Sequence, residues 1–496
     1  MNTLEAMHLS EASQAFLDSE LGSFVNNEWV RPDAESVSVI QDPCTTEVIA
    51  RVAKGNQSTL NEAVEAAHLA FNDWSRLPAV ERAVYLHRLA DALERNFDTI
   101  AEIESLDVGK AIVNTKGFDI PFGVDCIRYF ADLATALPAD TPLAIKNMEA
   151  KIHRVPYGVC GFVFPWNFPY NLLLWGIIPA LAAGNTVVIK PAELTPLSTL
   201  FVAKLAQEAG FPKGVINVVT GSGSVIGSAL CSHPKVKRMS FTGSSEVGKQ
   251  IGEACGRALI PCKLELGGKG AAIVFEDADL DLAAEQLSAA ITFNTGQVCC
   301  TATRWIVQES VADTFTEKVV AKLKAVKIGH GLAADTGMGP MASEKQLNTV
   351  IDYLETGKAQ GAKAILDGER LQPSGCEKGY FMSPSLLSGD SSNICFKEEI
   401  FGPSAYLTTF KDEEEALAQV HSIDYGLANS VFSEDLDKAR RVADRMICGN
   451  NWINAHNVFA YGLPYGGVNL SGLGGGVNSP ETYYDYLRPQ TVARPL

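Results

Sequence analysis

From residue 159 onward the chain alternates short apolar runs with amphipathic stretches, and no other feature restricts its fold as much. The runs Val159–Phe164, Thr186–Ile189, Val215–Val219 and Arg238–Phe241 have the length and content of buried strands. The stretches 196–209 and 223–231 between them read as helices. Strand, helix, strand predicts a parallel sheet, because parallel neighbours need a crossover and the crossover is right-handed. A second alternating block follows Leu264, with strands expected near 271–275 and 304–308 and helices near 309–325 and 343–360. Another mixed stretch covers 377–448. The two α/β blocks meet close to Glu265, where a ligand cleft is expected. Upstream, Asn61–Trp74 and Ala79–Asn96 carry apolar residues at three- and four-residue spacing and read as helices. Residues 138–157 and the tail after 476 read as extended.

With 496 residues the chain is long enough for two or three domains. Its net charge of −17 argues against binding nucleic acid or an anionic membrane, both of which need basic patches. Met1–Glu20 lacks a charged-then-apolar signal pattern and reads as a frayed, partly helical leader. Leu172–Ala183, the longest apolar stretch, is too short to span a bilayer and contains Pro179. A cytoplasmic location is therefore expected. The 11 cysteines are scattered without framework spacing, as reduced thiols would be. None forms a Cys-x-x-Cys pair, there is no His-x-x-x-His cluster, and no metal is expected.

Two glycine-rich segments invite a nucleotide. Gly221-Ser222-Gly223-Ser224-Val225-Ile226-Gly227 follows a strand and opens a helix, but its spacing is one residue off the dinucleotide fingerprint, and a turn-and-cap reading of it stands equally. Gly243-Ser244-Ser245-Glu246-Val247-Gly248-Lys249 imitates a phosphate loop, yet Gln250 occupies the position of the required Mg²⁺-binding hydroxyl, so an NTPase is rejected. In the preferred reading, Phe241-Thr242-Gly243-Ser244 ends a strand and starts a helix, whose free N–H groups and dipole suit a pyrophosphate. Lys190 and Glu193, just past a strand end, are by themselves a solvated charged loop.

Three further segments carry chemistry. Leu264-Glu265-Leu266-Gly267-Gly268-Lys269 sets a carboxylate before two glycines that permit close backbone approach. Phe293-Asn294-Thr295-Gly296-Gln297-Val298-Cys299-Cys300 offers a thiol, with Cys300 as an alternative nucleophile. Phe164-Pro165-Trp166-Asn167-Phe168-Pro169 offers a side-chain amide. A thiolate attacks a carbonyl, fixed donors hold the resulting oxyanion, and a carboxylate activates water. Taken singly, an arbitrary Cys is usually inert packing, Asn167 a turn residue and Glu265 a strand-edge charge.

With these segments in order, the chain resembles the NAD(P)-dependent aldehyde dehydrogenase superfamily from about residue 20 to its C-terminus. The resemblance implies a Rossmann-like cofactor domain (1–137 and 158–264), an α/β catalytic domain (265–476) and a small β oligomerisation element (138–157 and 477–496). It selects Cys299, through the pattern Gly-Gln-x-Cys, as nucleophile. Asn167 and the Cys299 backbone N–H become oxyanion donors, and Glu265 the base that hydrolyses the thioester. It gives Trp166, Gly223 and Ser244 to the cofactor phosphates and Lys190 and Glu193 to the adenosine ribose. Glu193 would repel a 2′-phosphate, so NAD is favoured, with NADP possible. In Glu398-Glu399-Ile400-Phe401-Gly402-Pro403, Glu399 would hold the nicotinamide ribose and Phe401 pack beside the ring.

Phe168, Trp175, Phe293 and Tyr465 fall at positions that line the family's aldehyde tunnel. They imply an apolar or aromatic aldehyde, with a betaine-type substrate as the alternative because aromatic boxes also hold quaternary ammonium groups. An anionic semialdehyde would want a tunnel cation, and Arg304 sits at a position common across the family. Relatives that transfer the acyl group to coenzyme A generally lack the carboxylate supplied here by Glu265, so hydrolysis is expected. The remaining alternative is a non-enzymatic structural relative, against which the intact set Asn167, Glu265, Cys299 and Glu399 argues. A homo-dimer or homo-tetramer is implied. The chain departs from the family pattern at Gly270, Ala271, Thr301, Asn469, Gly475 and Gly476, the last two and Asn469 replacing charged groups.

Overall fold

The computed structural model of the protein describes residues 9–33 and 35–496. Among them, two large sheets stand where the two alternating blocks were expected. The first has a parallel centre of β1 (Val159–Val163), β2 (Thr186–Lys190), β3 (Ile216–Val218), β4 (Val236–Thr242) and β5 (Cys262–Glu265), in the spatial order β3-β2-β1-β4-β5. Ser23–Val25 pairs antiparallel beyond β3, and Gly472–Leu473 antiparallel beyond β5. The second sheet contains β6 (Gly270–Val274), β7 (Ala302–Gln308), β8 (Ser385–Ser388), β9 (Ser404–Phe410), β10 (Ala428–Phe432) and β11 (Asn450–Ile453), parallel in the order β8-β9-β7-β6-β10-β11.

Strands β1, β2, β6 and β10 are buried at every residue, as strands covered by helices on both faces must be. The covering helices include α1 (Pro169–Ala182), α2 (Ser245–Ala258) and α3 (Leu280–Thr292). In α1 nearly every side chain is buried, Leu172 being the exception, so this all-round apolar helix is a core element rather than a membrane span. No helix among the described residues is long and apolar enough to cross a membrane. The chain passes from one sheet to the other through Leu266–Lys269, immediately after Glu265.

Asp140–Leu143, Met148–Pro156 and Leu487–Pro495 form a separate antiparallel sheet with little burial. Two expectations need correction. The tail after 476 is not wholly extended: Pro480–Asp485 is a helix, with Ser479 and Thr482 forming its capping box. The leader is partly helical, as expected, but is not frayed where it is described, since the helix Glu11–Leu17 buries Phe16 and Leu17. Ser10 and Ser13 tie its start to the Glu102 carboxylate, with the Ser10 hydroxyl at 2.8 Å. Residues 1–8 of that leader lie outside the described residues.

Candidate active site

The thiol is presented by a strained loop. After α3, Asn294 (φ 47°), Thr295 (φ 56°) and Gly296 (φ 68°) are all left-handed, which is costly for a β-branched residue such as Thr295. Side chains hold the turn. Gln297 donates from Nε2 to the Asn294 carbonyl at 3.0 Å, and its Oε1 accepts from the Ala342 N–H at 2.9 Å. The Thr295 hydroxyl donates to the Gly339 carbonyl at 3.0 Å. Gly296 lies so close to the Gly402 carbonyl that any side chain there would collide with it.

The two adjacent cysteines end in different surroundings. Cys299 is half-buried, with Sγ 3.4 Å from the Tyr465 hydroxyl. Cys300 is buried and donates to Asn457 Oδ1 at 3.2 Å. The neighbouring Cys300 thiol and, against the effect of burial, the Tyr465 hydroxyl bring the Cys299 thiol down to about 7. Cys300 is pushed upward by Cys299 and by burial. The easily ionised thiol is thus the one that faces the cleft.

Glu265 ends β5. Its Oε2 is buried with no hydrogen-bond partner among the described residues. Loss of solvation raises its carboxyl to about 8, against the opposing pull of Lys263. Gly268, just beyond, abuts the Cys299 carbonyl where no Cβ would fit, and its N–H donates to Glu399 Oε1 at 2.8 Å. Burial likewise raises Glu399 to about 7. Asn167 is buried and donates from Nδ2 to the Gln297 carbonyl at 2.9 Å. Asn294 returns a bond to the Asn167 carbonyl at 2.9 Å, so the amide loop and the thiol loop are laced together.

A cleft of about 300 Å³ runs between the sheets, walled by Trp166, Asn167, Ser244, Cys299, Glu399 and Phe401. It opens at the carboxyl ends of β1 and β4, the edge at which parallel α/β sheets bind ligands. Ser244 caps α2, accepting from the Val247 N–H at 3.4 Å, and turns that helix's N-terminus toward the cleft. Phe401 is a second strained residue (φ 59°), its ring set perpendicular to Trp166 at 5.4 Å between centroids. Gln346 pins this loop by donating to the carbonyls of Ile400 at 3.2 Å and Phe401 at 3.0 Å. Nothing in the sequence around Gln346 signalled that role.

Lys190, Glu193 and Gly223 lie outside the walls of this cleft. Lys190 is buried at the end of β2, and burial lowers its amine to about 8. Glu193 is bound by Lys54 at 2.7 Å and by the Ser38 hydroxyl at 2.9 Å. Gly223 begins a short π-helical turn and has open space around it. The residues that are brought together would accommodate a dinucleotide: a capped helix N-terminus, a carboxylate beside Gly268, and two aromatic walls.

The four expected tunnel residues fall in two ring pairs, and Tyr465 of the second reaches the thiol. Phe168 and Phe293 rings lie 5.8 Å apart, and Trp175 and Tyr465 rings also 5.8 Å. Four more aromatics, missed in the sequence, join the two pairs into one cluster. Phe118 meets Phe293 at 5.6 Å, Phe122 meets Trp175 at 5.7 Å, Phe459 meets Tyr465 at 5.4 Å, and Tyr461 stacks on Phe122 at 4.6 Å. Only the spacing of Phe118 and Phe122, four apart and so on one helical face, could have hinted at them. Arg304 is not in the tunnel; it donates to the carbonyls of Lys269, Gln419 and Val420. Lys110 sits 4.0 Å over the Phe168 ring but is paired with Asp119 at 2.9 Å and Glu104 at 3.2 Å.

Away from the cleft, Asp42, Cys44 and His330 come within 4.8 Å of one another, a grouping that spacing along the chain could not reveal. Local bonds already engage it: Asp42 accepts from the Cys44 N–H at 2.9 Å and the Thr45 hydroxyl at 2.7 Å, and His330 Nδ1 accepts from the Leu332 N–H at 3.1 Å.

Comparison with known proteins gives one consistent result. The sequence pattern of the aldehyde dehydrogenase family matches residues 29–492. Retinaldehyde dehydrogenase 3 of Rattus norvegicus is 40% identical over 456 residues, covering 91% of this chain and 88% of its own length. Mitochondrial aldehyde dehydrogenase of Homo sapiens is also 40% identical, over 91% of this chain and 87% of its own. Among solved structures, betaine aldehyde dehydrogenase of Staphylococcus aureus in complex with NAD+ superposes with a TM-score of 0.94 at 34% identity, covering 98% of this chain and 97% of its own.

Proposed function

The chain belongs to the aldehyde dehydrogenase family, and on that premise we propose that it oxidises an apolar or aromatic aldehyde to its carboxylic acid, with NAD as cofactor and Cys299 as nucleophile. The observation that carries this reading is the contrast between the two cysteines. Cys299, lowered to about 7, opens on the cleft, while Cys300 is buried and raised.

In the proposed reaction the Cys299 thiolate adds to the aldehyde carbon. The Asn167 amide and the Cys299 backbone N–H stabilise the thiohemiacetal oxygen. NAD bound in the cleft supplies the hydride acceptor. Ser244 and Trp166 would hold its phosphate end, Glu399 its nicotinamide ribose and Phe401 the ring edge. Loss of hydride leaves an acyl thioester on Cys299. Glu265 then takes a proton from water, the hydroxide adds to the thioester, and the acid leaves as the thiol re-forms. Water as acceptor, rather than coenzyme A, follows from having that carboxylate. Glu193 supports NAD over NADP, as it would face a 2′-phosphate with like charge.

Ring spacing supports a slim apolar tail. A trimethylammonium cage needs each ring within about 6 Å of the cation, so opposed rings must stand well apart. Here Trp175, Phe459 and Tyr465 lie 5.4–6.0 Å from one another, already in contact. A betaine-type aldehyde is the second reading, favoured by the aromatic set itself and by the Staphylococcus aureus neighbour. No Lys or Arg lines either the cleft or the aromatic cavity beside it, which weighs against an anionic semialdehyde.

The same proposal divides the chain into a cofactor domain (1–137 and 158–264), a catalytic domain (265–476) and an oligomerisation element (138–157 and 477–496). The exposed three-stranded sheet would pair subunits into a homo-dimer or homo-tetramer. Eleven unpaired cysteines support a reducing, cytoplasmic setting. The test is NADH formation with NAD and a panel of aliphatic, aromatic, betaine-type and anionic aldehydes. A signal led by apolar members is expected. A panel without NADH formation, from folded protein that binds NAD, would overturn the reading.

A further inference from the structure

Lys263 is a charged side chain buried to 1% exposure, and the mechanism above leaves it without a task. It lies two residues before Glu265 on β5, hence on the same face of the strand. Its amine donates to the Gly476 carbonyl and pairs with Asp485 Oδ2 at 3.0 Å. Arg238, also buried, approaches the same Asp485 oxygen at 3.6 Å. Both cations lie over the Tyr486 ring, Arg238 at 4.9 Å and Lys263 at 5.4 Å.

The glycines at 474–476 make this arrangement possible. All three are left-handed (φ 96°, 91° and 73°) and fold the segment back against β5. A methyl group on Gly466 would collide with Gly476 and meet Glu265 Oε1 at 3.2 Å. The Glu265 carboxylate and residue 476 therefore border the same spot, and Lys263 grips residue 476 through its carbonyl. Side chains at 475 and 476 would strike Asp485 and the Tyr465 carbonyl. The sequence singles out these two glycines because they stand where the family carries charge; Lys263 and Asp485 bring charge to the same spot.

The charges that act on Glu265 are those of Lys263, Cys299 and Asp485, with the Gly467 backbone beside its carboxylate. When Glu265 and Cys299 are both ionised, Lys263 is the one cation among them, and Asp485 with Arg238 completes the cluster behind it. We propose that Lys263, held by Asp485 and the Gly476 carbonyl, is a positioning residue that keeps Glu265 ionised for the hydrolytic step. The inference rests on the aldehyde dehydrogenase reading and adds to it a device that this chain builds from its own residues. Burial raises Glu265 while Lys263 lowers it, in keeping with this role.

The experiment follows full-length enzyme with NAD and an accepted aldehyde, recording the pre-steady-state NADH burst and the pH profile of steady turnover. Lys263→Met should keep the burst but move the acid limb of steady turnover upward by about one pH unit, a roughly tenfold loss below that limb. Lys263→Arg should restore the wild-type limb. Asp485→Asn, at a partly exposed position, removes a carboxylate that competes for Lys263 and should move the limb downward. A Lys263→Met profile that is slower but unshifted would assign Lys263 a purely structural role and overturn the proposal. So would shifts of the same sign in both variants, or an Arg variant that behaves like Met. Should Lys263→Met fail to fold, an unshifted or upward limb in Asp485→Asn overturns it alone. Independently of turnover, the infrared band of the protonated Glu265 carboxyl, identified by its loss in Glu265→Gln, should persist to higher pH in Lys263→Met. If wild-type protein makes no NADH, the enzymatic reading fails; a normal burst with an unshifted limb fails this inference alone.

Discussion

The Tyr465 hydroxyl lies 3.4 Å from the Cys299 sulfur, and the same ring packs against Trp175 and Phe459. One side chain would therefore both stabilise the proposed thiolate and bound the proposed tunnel.

Cys299→Ala should lower aldehyde oxidation by about 10³-fold or more while leaving NAD affinity within a few-fold of wild type. Cys300→Ser should keep turnover within roughly threefold, since a hydroxyl keeps a polar group beside Cys299 at a buried position. NADH formation together with NAD titration of both variants checks this. A Cys299→Ala enzyme at wild-type rate would remove it as nucleophile.

Glu265→Gln should give an NADH burst followed by steady turnover about 10²–10⁴-fold slower. In wild type, steady turnover should rise with pH and level off above about 8, as Glu265 ionises. The stability effect has the opposite slope. A carboxyl raised from its usual 4.5 to about 8 in the folded chain favours folding fully at low pH, and loses that advantage as pH climbs through the interval. Thermal melting between about pH 5 and pH 9 should therefore fall less steeply for Glu265→Gln than for wild type. Parallel melting curves would refute the shifted carboxyl.

Glu193→Gln should improve use of NADP relative to NAD by about tenfold in kcat/KM, because the like charge facing a 2′-phosphate is removed. Its present partners, Lys54 and Ser38, would then be free to contact that phosphate. An unchanged cofactor ratio would mean that Glu193 does not read the ribose.

Phe459→Ala should open the tunnel, since this ring touches Trp175, Tyr465 and Trp452. Bulky or trimethylammonium aldehydes should gain about 10-fold in kcat/KM relative to slim ones. A substrate ranking identical to wild type would show that Phe459 does not limit tunnel width.

Lys110→Met should destabilise the protein by about 3–5 kcal/mol, because it strands the buried carboxylates of Glu104 and Asp119. Denaturant unfolding reads this directly. A loss below about 1 kcal/mol would mean that the two acids share a proton in place of the lysine.

Much of the fold was written in local pattern. Four strands of the first sheet and two of the second came from short apolar runs within two residues of their observed bounds, as Val159–Phe164 did against Val159–Val163; the strands at 262–265, 385–388, 404–410, 428–432 and 450–453 were not resolved individually. What the pattern did not carry was capping at the ends: the helices Glu11–Leu17 and Pro480–Asp485 depend on Ser10, Glu102 and Ser479, contacts invisible to periodicity. In the site, the residues embedded in distinctive strings, such as Asn167, Glu265, Cys299 and Glu399, could be named beforehand. Gln346, Phe459 and Lys263 could not. Their deciding partners include residues far off in the chain: Phe401 is 55 positions from Gln346, Gly476 is 213 from Lys263, and Trp175 packs on Phe459 from α1, so no local signal marks the meeting.

The left-handed run Asn294-Thr295-Gly296 bears on how the enzyme is born as well as how it works. Such a turn is unfavourable on its own by about 1–3 kcal/mol per strained residue, so isolated chain avoids it. Two of the bonds that hold the loop run to Gly339 and Ala342, which come later in the sequence. A nascent polypeptide that has emerged only as far as Cys300 lacks every one of those supports. The turn therefore gains them only after those segments have been made and have docked.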